Sequence, residues 1–293
     1  MTIAAVGQIC STASAKGNLE QCVRLVAKAA RGGAKVLFLP EASDYIAPDG
    51  QTSLELAEPQ QTSPFVKGLQ DAAREHSVAV HVGIHHRPEP EPGAAVHRIL
   101  NRALYIGADG AVVDSASYDK LHVFDYGNLR ESATVRPGPA LTPPFDSPVG
   151  RIGSLICFDL RFPEPGLLLS QPGPGSPWTG RPAQVPRTGE TLLRARAIET
   201  QSYVVAAAQV GRHNEKRASW GQSIVADPWG RVVLKLKGVV SDPKDVPEGT
   251  AEEGAVGEIG FVEIDLDGLE RVRKEMPLQR RTDVYPELTA RHT

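Results

Sequence analysis

An α/β fold is predicted by three features of the chain. Apolar strand-like runs alternate with amphipathic helical runs from the first residues onward, several of those strands are apolar throughout, and 293 residues with 41% hydrophobic content can fill a sizeable core. Neither a repeat nor a break in composition divides the chain, so residues 1–293 read as a single domain. The net charge of −3 comes without a basic stripe, which argues against nucleic acid and for a small-molecule partner. No apolar run approaches the roughly 18 residues of a membrane span. The start, "MTIAAVGQIC", lacks the basic and apolar regions of a secretory signal, so a cytoplasmic location is expected, with a mitochondrial form as the alternative. Cys10, Cys22 and Cys157 are an odd set without CxxC spacing, which speaks against a disulfide framework or a structural zinc site.

The elements follow in order. "TIAAVGQI" is a short apolar strand, and "NLEQCVRLVAKAARGG" puts Leu19, Cys22, Val23, Val26 and Ala30 on one helical face before a Gly-Gly stop. "AKVLFLPE" is a buried strand closed by Pro40, followed by a helix from Pro64 to His76 and the strand "VAVHVGIHH". "ILNRALYIGADGAVVDSASY" reads as a hairpin turning at Asp109-Gly110. A strand "RIGSLIC" runs into Cys157. Beyond it "TLLRARAIETQ" is helical, "YVVAAAQV" is a strand and "SIVADPWGRVVLKL" is a second hairpin. Two segments are loop-like. Residues 171–190 contain Pro172, Pro174, Pro177, Pro182 and Pro186 together with glycines, which excludes a central strand. The loop 241–257, acidic and rich in Pro and Gly, predicts a solvated excursion between strands.

Candidate chemistry lies at strand ends. Cys157 sits where a buried strand meets a sharp turn, a corner that lifts a nucleophile clear of a sheet and leaves backbone N–H groups beside it. A helix after it would lower the thiol pKa. The competing reading makes Cys157 a small core residue, as Cys10 and Cys22 are read. A thiol needs a base. Among the histidines, His81 and His85 share one strand face and His86 lies on the other, so solvated or edge-strand histidines are expected over a metal pair. Glu41 ends the apolar strand "KVLFLP", where desolvation would raise its pKa toward that of a general base, and Lys120 ends "AVVDSASYD". Carboxylate, ammonium and thiol would thus meet where open α/β sheets place their sites, although either charge also suits a solvated strand cap.

"FLPEASDYIA" with Glu41, "YDKLHVFD" with Lys120 and "CFDLRFPE" with Cys157 resemble, in order and context, the Glu-Lys-Cys signatures of the nitrilase (carbon–nitrogen hydrolase) superfamily. Similarity continues through "LLRARAIETQSYVVAAAQVGRHNEKRASWGQS" and "DPWG", blocks nearest the deaminated glutathione amidase (Nit1) branch, with the omega-amidase (Nit2) branch next. The resemblance implies a four-layer αββα sandwich, often paired into a homodimer. It implies hydrolysis of a small carboxylate-bearing amide to acid and ammonia or amine through a thioester, with no metal and no organic cofactor. In that scheme Cys157 is the nucleophile, Glu41 the general base and acid, and Lys120 the oxyanion stabiliser, aided by the backbone N–H of Phe158. Glu131, in "GNLRES", matches a second glutamate that orients the site. Arg161 suits either a substrate carboxylate or a neighbouring acid.

The chain departs from the family pattern twice. The loop between Lys120 and Glu131 is short, and segment 171–190 replaces an apolar strand that in the family lies beside the nucleophile strand. Losing that strand would leave backbone groups of a central sheet unpaired. A compensating rearrangement, a weakened scaffold that binds a partner, and a frame or splice change in the deduced sequence are the alternatives.

Overall fold

The computed structural model describes residues 1–89, 98–127, 129–170, 189–241, 246–281, 283–286 and 288. Strand β1 (Thr2–Gly7) leads to helix α1 (Ala15–Arg31), whose first turn is capped by the Ser14 hydroxyl accepting from the Gly17 N–H, an arrangement worth about 1 kcal/mol. After β2 (Val36–Phe38) come α2 (Gly50–Leu56) and α3 (Pro64–His76), then β3 (Ala79–His86), β4 (Leu100–Ile106) and β5 (Tyr118–Asp119). Two small hairpins follow, β6 (Asp125–Tyr126) with β7 (Leu129–Arg130) and β8 (Phe145–Ser147) with β9 (Gly150–Ile152). Helices α4 (Pro163–Leu169) and α5 (Gly189–Thr200) precede β10 (Val204–Ala206), β11 (Val210–Arg212), β12 (Ala218–Trp220), β13 (Ile224–Ala226) and β14 (Val232–Lys235). Strand β15 (Ile259–Ile264) and helix α6 (Leu266–Glu275) close the described fold.

Strand alternation sorts the side chains into layers. The first sheet runs β15-β1-β2-β3-β4-β5, with β1, β2 and β3 mutually parallel and the outer pairings antiparallel. On one face Ala5, Leu37, Val80, Val82 and Leu104 pack against α1 and α3 through Cys22, Leu25, Val26, Phe65 and Leu69. On the other, Ala4, Val6, Val36, Phe38 and Tyr105 meet Val205, Val225 and Ile152 of the second layer. The far face of that layer, Val204, Ala206, Ile224 and Ala226, packs against Leu169, Leu193 and Ala197 of α4 and α5. The architecture is therefore the αββα sandwich.

Several elements differ from their sequence-based expectation. The buried face of α1 is Asn18, Cys22, Leu25, Val26 and Ala29, with Leu19, Val23 and Ala30 at its partly buried border. Apolar periodicity overlooks Asn18, whose amide bridges the carbonyls of Thr12 and Asp44 and so belongs inside. The hairpin after β4 turns at Gly110 (φ +82°) as expected, but a 3₁₀ turn over Asp114–Ala116 interrupts its second arm. The expected solvated loop 241–257 is partly packed: Ala255 is fully buried, and its carbonyl accepts from the Gln8 amide at 3.1 Å. Residues 242–245 lie outside the described ones. Among the described residues strand pairing before Cys157 ends at Ile152, and β9 pairs only with β8, not with β10. The Pro/Gly-rich stretch expected to stand in for a strand falls, over 171–188, outside the described residues. No helix among the described residues is long and apolar enough to cross a membrane.

Candidate active site

Two corners with left-handed backbone meet at the carboxyl end of β2. Leu39 and Pro40 carry the chain from β2 to Glu41, and Ala42 then turns at φ +54°. That conformation costs a non-glycine residue about 1–2 kcal/mol. The Gln209 side-chain amide holds it by donating to the carbonyls of Glu41 and Ala42 at 3.0 and 3.1 Å. Gly83 of β3 lies against the same corner: a Cβ there would stand 2.5 Å from Glu41 Cα, so the close approach requires glycine.

The second corner is Cys157 itself, at φ +49°, the first residue of a single 3₁₀ turn over Cys157–Arg161. Asp159 clamps this turn. Its fully buried carboxylate accepts from the Ile156 N–H at 2.9 Å and the Tyr118 hydroxyl at 2.7 Å through Oδ2, and through Oδ1 from the His122 backbone at 2.9 Å and its Nδ1 at 2.7 Å. Four donors satisfy a buried anion that would otherwise be costly. They also tie the Cys157 turn to the segment that carries Lys120. His122 stacks on Phe162 at 3.7 Å between ring centroids, and Phe158 meets Phe124 and Phe162 edge-on, giving the site an aromatic wall.

Lys120 follows β5 and is 2% exposed. Its Nζ donates to Glu41 Oε1 at 3.3 Å and to both Glu131 oxygens at 2.9 Å. The Phe124 N–H also donates to Glu131. Asn101 of β4 donates through Nδ2 to Glu41 Oε1 at 2.5 Å and reaches Glu131 Oε1 at 3.4 Å. The Cys157 thiol lies in the field of Glu41, whose charge is, after burial, the largest influence on it. A buried ammonium bonded to two carboxylates, with a thiol in the field of one of them, is a compensated cluster of charges.

These contacts reverse two sequence-based expectations. Burial does push the Glu41 carboxyl up, but the Lys120 charge, the Asn101 hydrogen bond and Arg217 together outweigh it, so the pKa falls below its ordinary 4.5. For Cys157 the expected lowering by a following helix does not occur. Burial, then the Glu41 and Glu131 charges, raise the thiol well above its ordinary 9.0, against the opposing pull of Lys120. A single 3₁₀ turn has little dipole to set against them. The resting pair is thus a neutral thiol beside an ionised carboxylate, with the proton on sulfur and its acceptor already in place. Burial also works against the Lys120 ammonium, yet Glu41, Cys157 and Glu131 prevail and hold it above its ordinary 10.5.

The structure brings together Glu41, Lys120, Glu131 and Cys157, with Phe158 next to the thiol in the first turn and Arg161 exposed at the turn's end. His81, His85 and His86 are neither solvated nor on an edge strand, because β3 lies inside its sheet. His81 is fully buried and shares a hydrogen bond with Ser154, His85 pairs with Asp44 at 3.0 Å, and His86 accepts from the Gln60 N–H. Cys22 is in the core, but Cys10 is not: half-buried, its thiol donates to the Arg212 carbonyl at 3.3 Å. It lines a surface cavity of about 500 Å³ with Thr12, Asn18, Arg24 and Lys28, and none of the groups above reaches that cavity. Sequence reasoning missed Asn101, Asp159, Gln209 and Gly83. The signal for Asn101 was an amide inside the apolar run "ILNRALYI", on the strand face shared by Ala103 and Tyr105.

A sequence profile described as carbon-nitrogen hydrolase matches residues 3–274. A Schizosaccharomyces pombe protein named probable hydrolase nit2 is 39% identical over 296 residues, covering 98% of this chain and 99% of the relative. A human protein named deaminated glutathione amidase is 39% identical over 298 residues, covering 98% and 85%. The crystal structure of the C. elegans NitFhit protein superposes with a TM-score of 0.81 at 34% identity, over 98% of this chain and 66% of that longer one.

Proposed function

The chain belongs to the carbon-nitrogen hydrolase family, and from that premise we propose that it is a cysteine-dependent amidase whose nucleophile is Cys157. The observation that carries this reading is the hydrogen-bonded Glu41–Lys120–Glu131 cluster beside Cys157, with the thiol neutral and the carboxylate ionised. As sulfur attacks the amide carbonyl carbon, the thiol proton passes to Glu41. The carbonyl oxygen becomes an oxyanion stabilised by the Lys120 ammonium and the Phe158 N–H. Collapse breaks the C–N bond, and the proton held by Glu41 leaves with the amine or ammonia. Glu41, again ionised, then takes a proton from water as its oxygen attacks the thioester. The acid product departs, and the proton returns to sulfur. Glu131 holds Lys120 with both of its oxygens throughout, which leaves Glu41 free to cycle.

The substrate we propose is a small carboxylate-bearing amide of the deaminated glutathione type, supported by 39% identity to relatives of that name over nearly the whole chain. The equal identity to the fission-yeast protein named probable hydrolase nit2 supports a second reading, a simple omega-amide substrate. Purified protein given each substrate in turn should release amine or ammonia, be stopped by iodoacetamide and be indifferent to chelators. Release from neither substrate, with the fold intact, would leave a nitrilase-like scaffold that binds a partner and would overturn the proposal.

A further inference from the structure

One lysine cannot serve two carboxylates equally, and the distances show how the cluster divides. Glu131 takes Lys120 with both oxygens at 2.9 Å, whereas Glu41 has it only at 3.3 Å. What holds Glu41 more closely is Asn101 Nδ2 at 2.5 Å. Asn101 is 4% exposed, and its Oδ1 is buried with no hydrogen-bond partner among the described residues. Rotating the amide would aim that oxygen at two carboxylates, so its orientation is determined. A buried amide kept with an orphaned acceptor is unfavourable unless its donor is needed. The same residue's backbone carbonyl accepts the Lys120 N–H at 2.9 Å, which sets the lysine and the amide in one register.

Resting on the proposed roles of Glu41 as proton acceptor and Cys157 as nucleophile, we infer that Asn101 is a positioning residue that keeps Glu41 ionised and aimed at the thiol. It supplies donors without charge, so the carboxylate stays anionic without being locked to lysine. A purely structural asparagine would affect folding and leave the proton affinity of Glu41 unchanged.

The test reads Cys157 directly. In alkylation by iodoacetamide, sulfur displaces iodide from carbon and the thiol proton goes to Glu41. The rate at Cys157, located by mass spectrometry, is followed against pH in the full chain and in Asn101→Leu, which is nearly isosteric and removes both donor and orphaned acceptor. The acid limb should move up by about one pH unit or more, as expected when a carboxylate loses a strong hydrogen bond. The plateau should fall about tenfold or more. Asn101→Ser, which retains a short donor, should lie between and decides the matter on the same measure if the leucine variant is unstable. An acid limb that stays in place, whatever happens to the plateau, overturns the inference. Because no amide substrate is used, failure of the substrate assignment leaves this outcome readable, while unreactive Cys157 in the unaltered chain would count against the nucleophile instead.

Discussion

Cys157 and Cys10 are both half-buried thiols near ends of strands, and the difference between them lies in what can receive a proton. Cys157 lies in the field of an ionised carboxylate that is itself bonded to a buried ammonium. Cys10 touches the Arg212 carbonyl, and 3.7 Å away the Nδ1 of His213. That nitrogen donates its proton to the Ser11 carbonyl at 2.7 Å, and burial lowers the His213 pKa to about 4. A histidine near a thiol is therefore no base when its facing nitrogen is already a donor. Exposure and a neighbouring imidazole do not make a reactive cysteine; an acceptor with a free lone pair does.

The largest effect that could break this contrast is loss of the sulfur at the second corner. Cys157→Ala should lower hydrolysis by roughly 10⁴-fold or more, the scale seen when a covalent nucleophile is removed, with an unchanged thermal midpoint. Retained turnover in purified variant would dismiss Cys157 from its role. Next come its partners. Glu41→Gln keeps the shape but removes the proton acceptor and should lose at least about 100-fold in kcat/KM, with Lys120→Ala behaving similarly. A near-normal rate in either would sink that assignment.

The same contrast predicts a pH dependence. Glu41 lies below its ordinary 4.5, Lys120 above its ordinary 10.5 and Cys157 above its ordinary 9.0, so none changes charge near neutrality. The kcat/KM profile should be flat from about pH 5 to 9; a limb centred between 6 and 7 would indicate a histidine base instead. For stability the sign follows from linkage. Glu41 is a stronger acid folded than unfolded, so its contribution is complete above pH 4.5 and disappears as the pH falls through its folded value. Glu41→Gln should therefore flatten the acid side of the stability curve measured by denaturant titration.

What was legible in the sequence follows from what strand ends reveal. Glu41, Lys120 and Cys157 each terminate an apolar run, so their convergence could be read from pattern and from family resemblance alike. The direction of their pKa shifts could not. Burial of Glu41 is visible in "KVLFLPE", but the compensating Asn101 and Lys120 lie 60 and 79 residues away, and only the fold sets those distances. Asp159 stood inside a quoted motif without a role, since its four donors come from Tyr118, Ile156 and His122. The αββα layers followed from the resemblance. The antiparallel edge strand β15 and helices α2 and α6 went unread: β15 alternates buried and exposed positions, and neither helix exceeds ten residues, too short for apolar periodicity to stand out.

A smaller effect sharpens the geometry of the first corner. Gly83→Ala places a methyl group 2.5 Å from Glu41 Cα and 3.0 Å from the Pro40 carbonyl, and backbone cannot yield as a flexible side chain would. Overpacking of this kind costs about 1–3 kcal/mol. The displaced corner should move Glu41 from the thiol and lower kcat more than it changes KM. Unchanged unfolding and turnover would mean that the two strands can separate at no cost, and that the approach of β3 to Glu41 does not position it.

The smallest expected effect belongs to the other thiol. Cys10→Ala removes one weak S–H donor from the Arg212 carbonyl at 3.3 Å, and that contact is solvent-accessible, so water can replace it. His213 keeps its bonds to the Ser11 carbonyl and the Ser219 hydroxyl, and the adjacent Gln21 amide keeps the Cys10 backbone carbonyl and N–H. Stability should change by no more than about 0.5 kcal/mol, and turnover should equal that of the unaltered chain. The variant also leaves Cys157 as the only half-buried thiol, so alkylation and loss of activity should then run in step. A rate loss of tenfold or more in Cys10→Ala would break the comparison, because it would place a second thiol in the reaction without an acceptor for its proton.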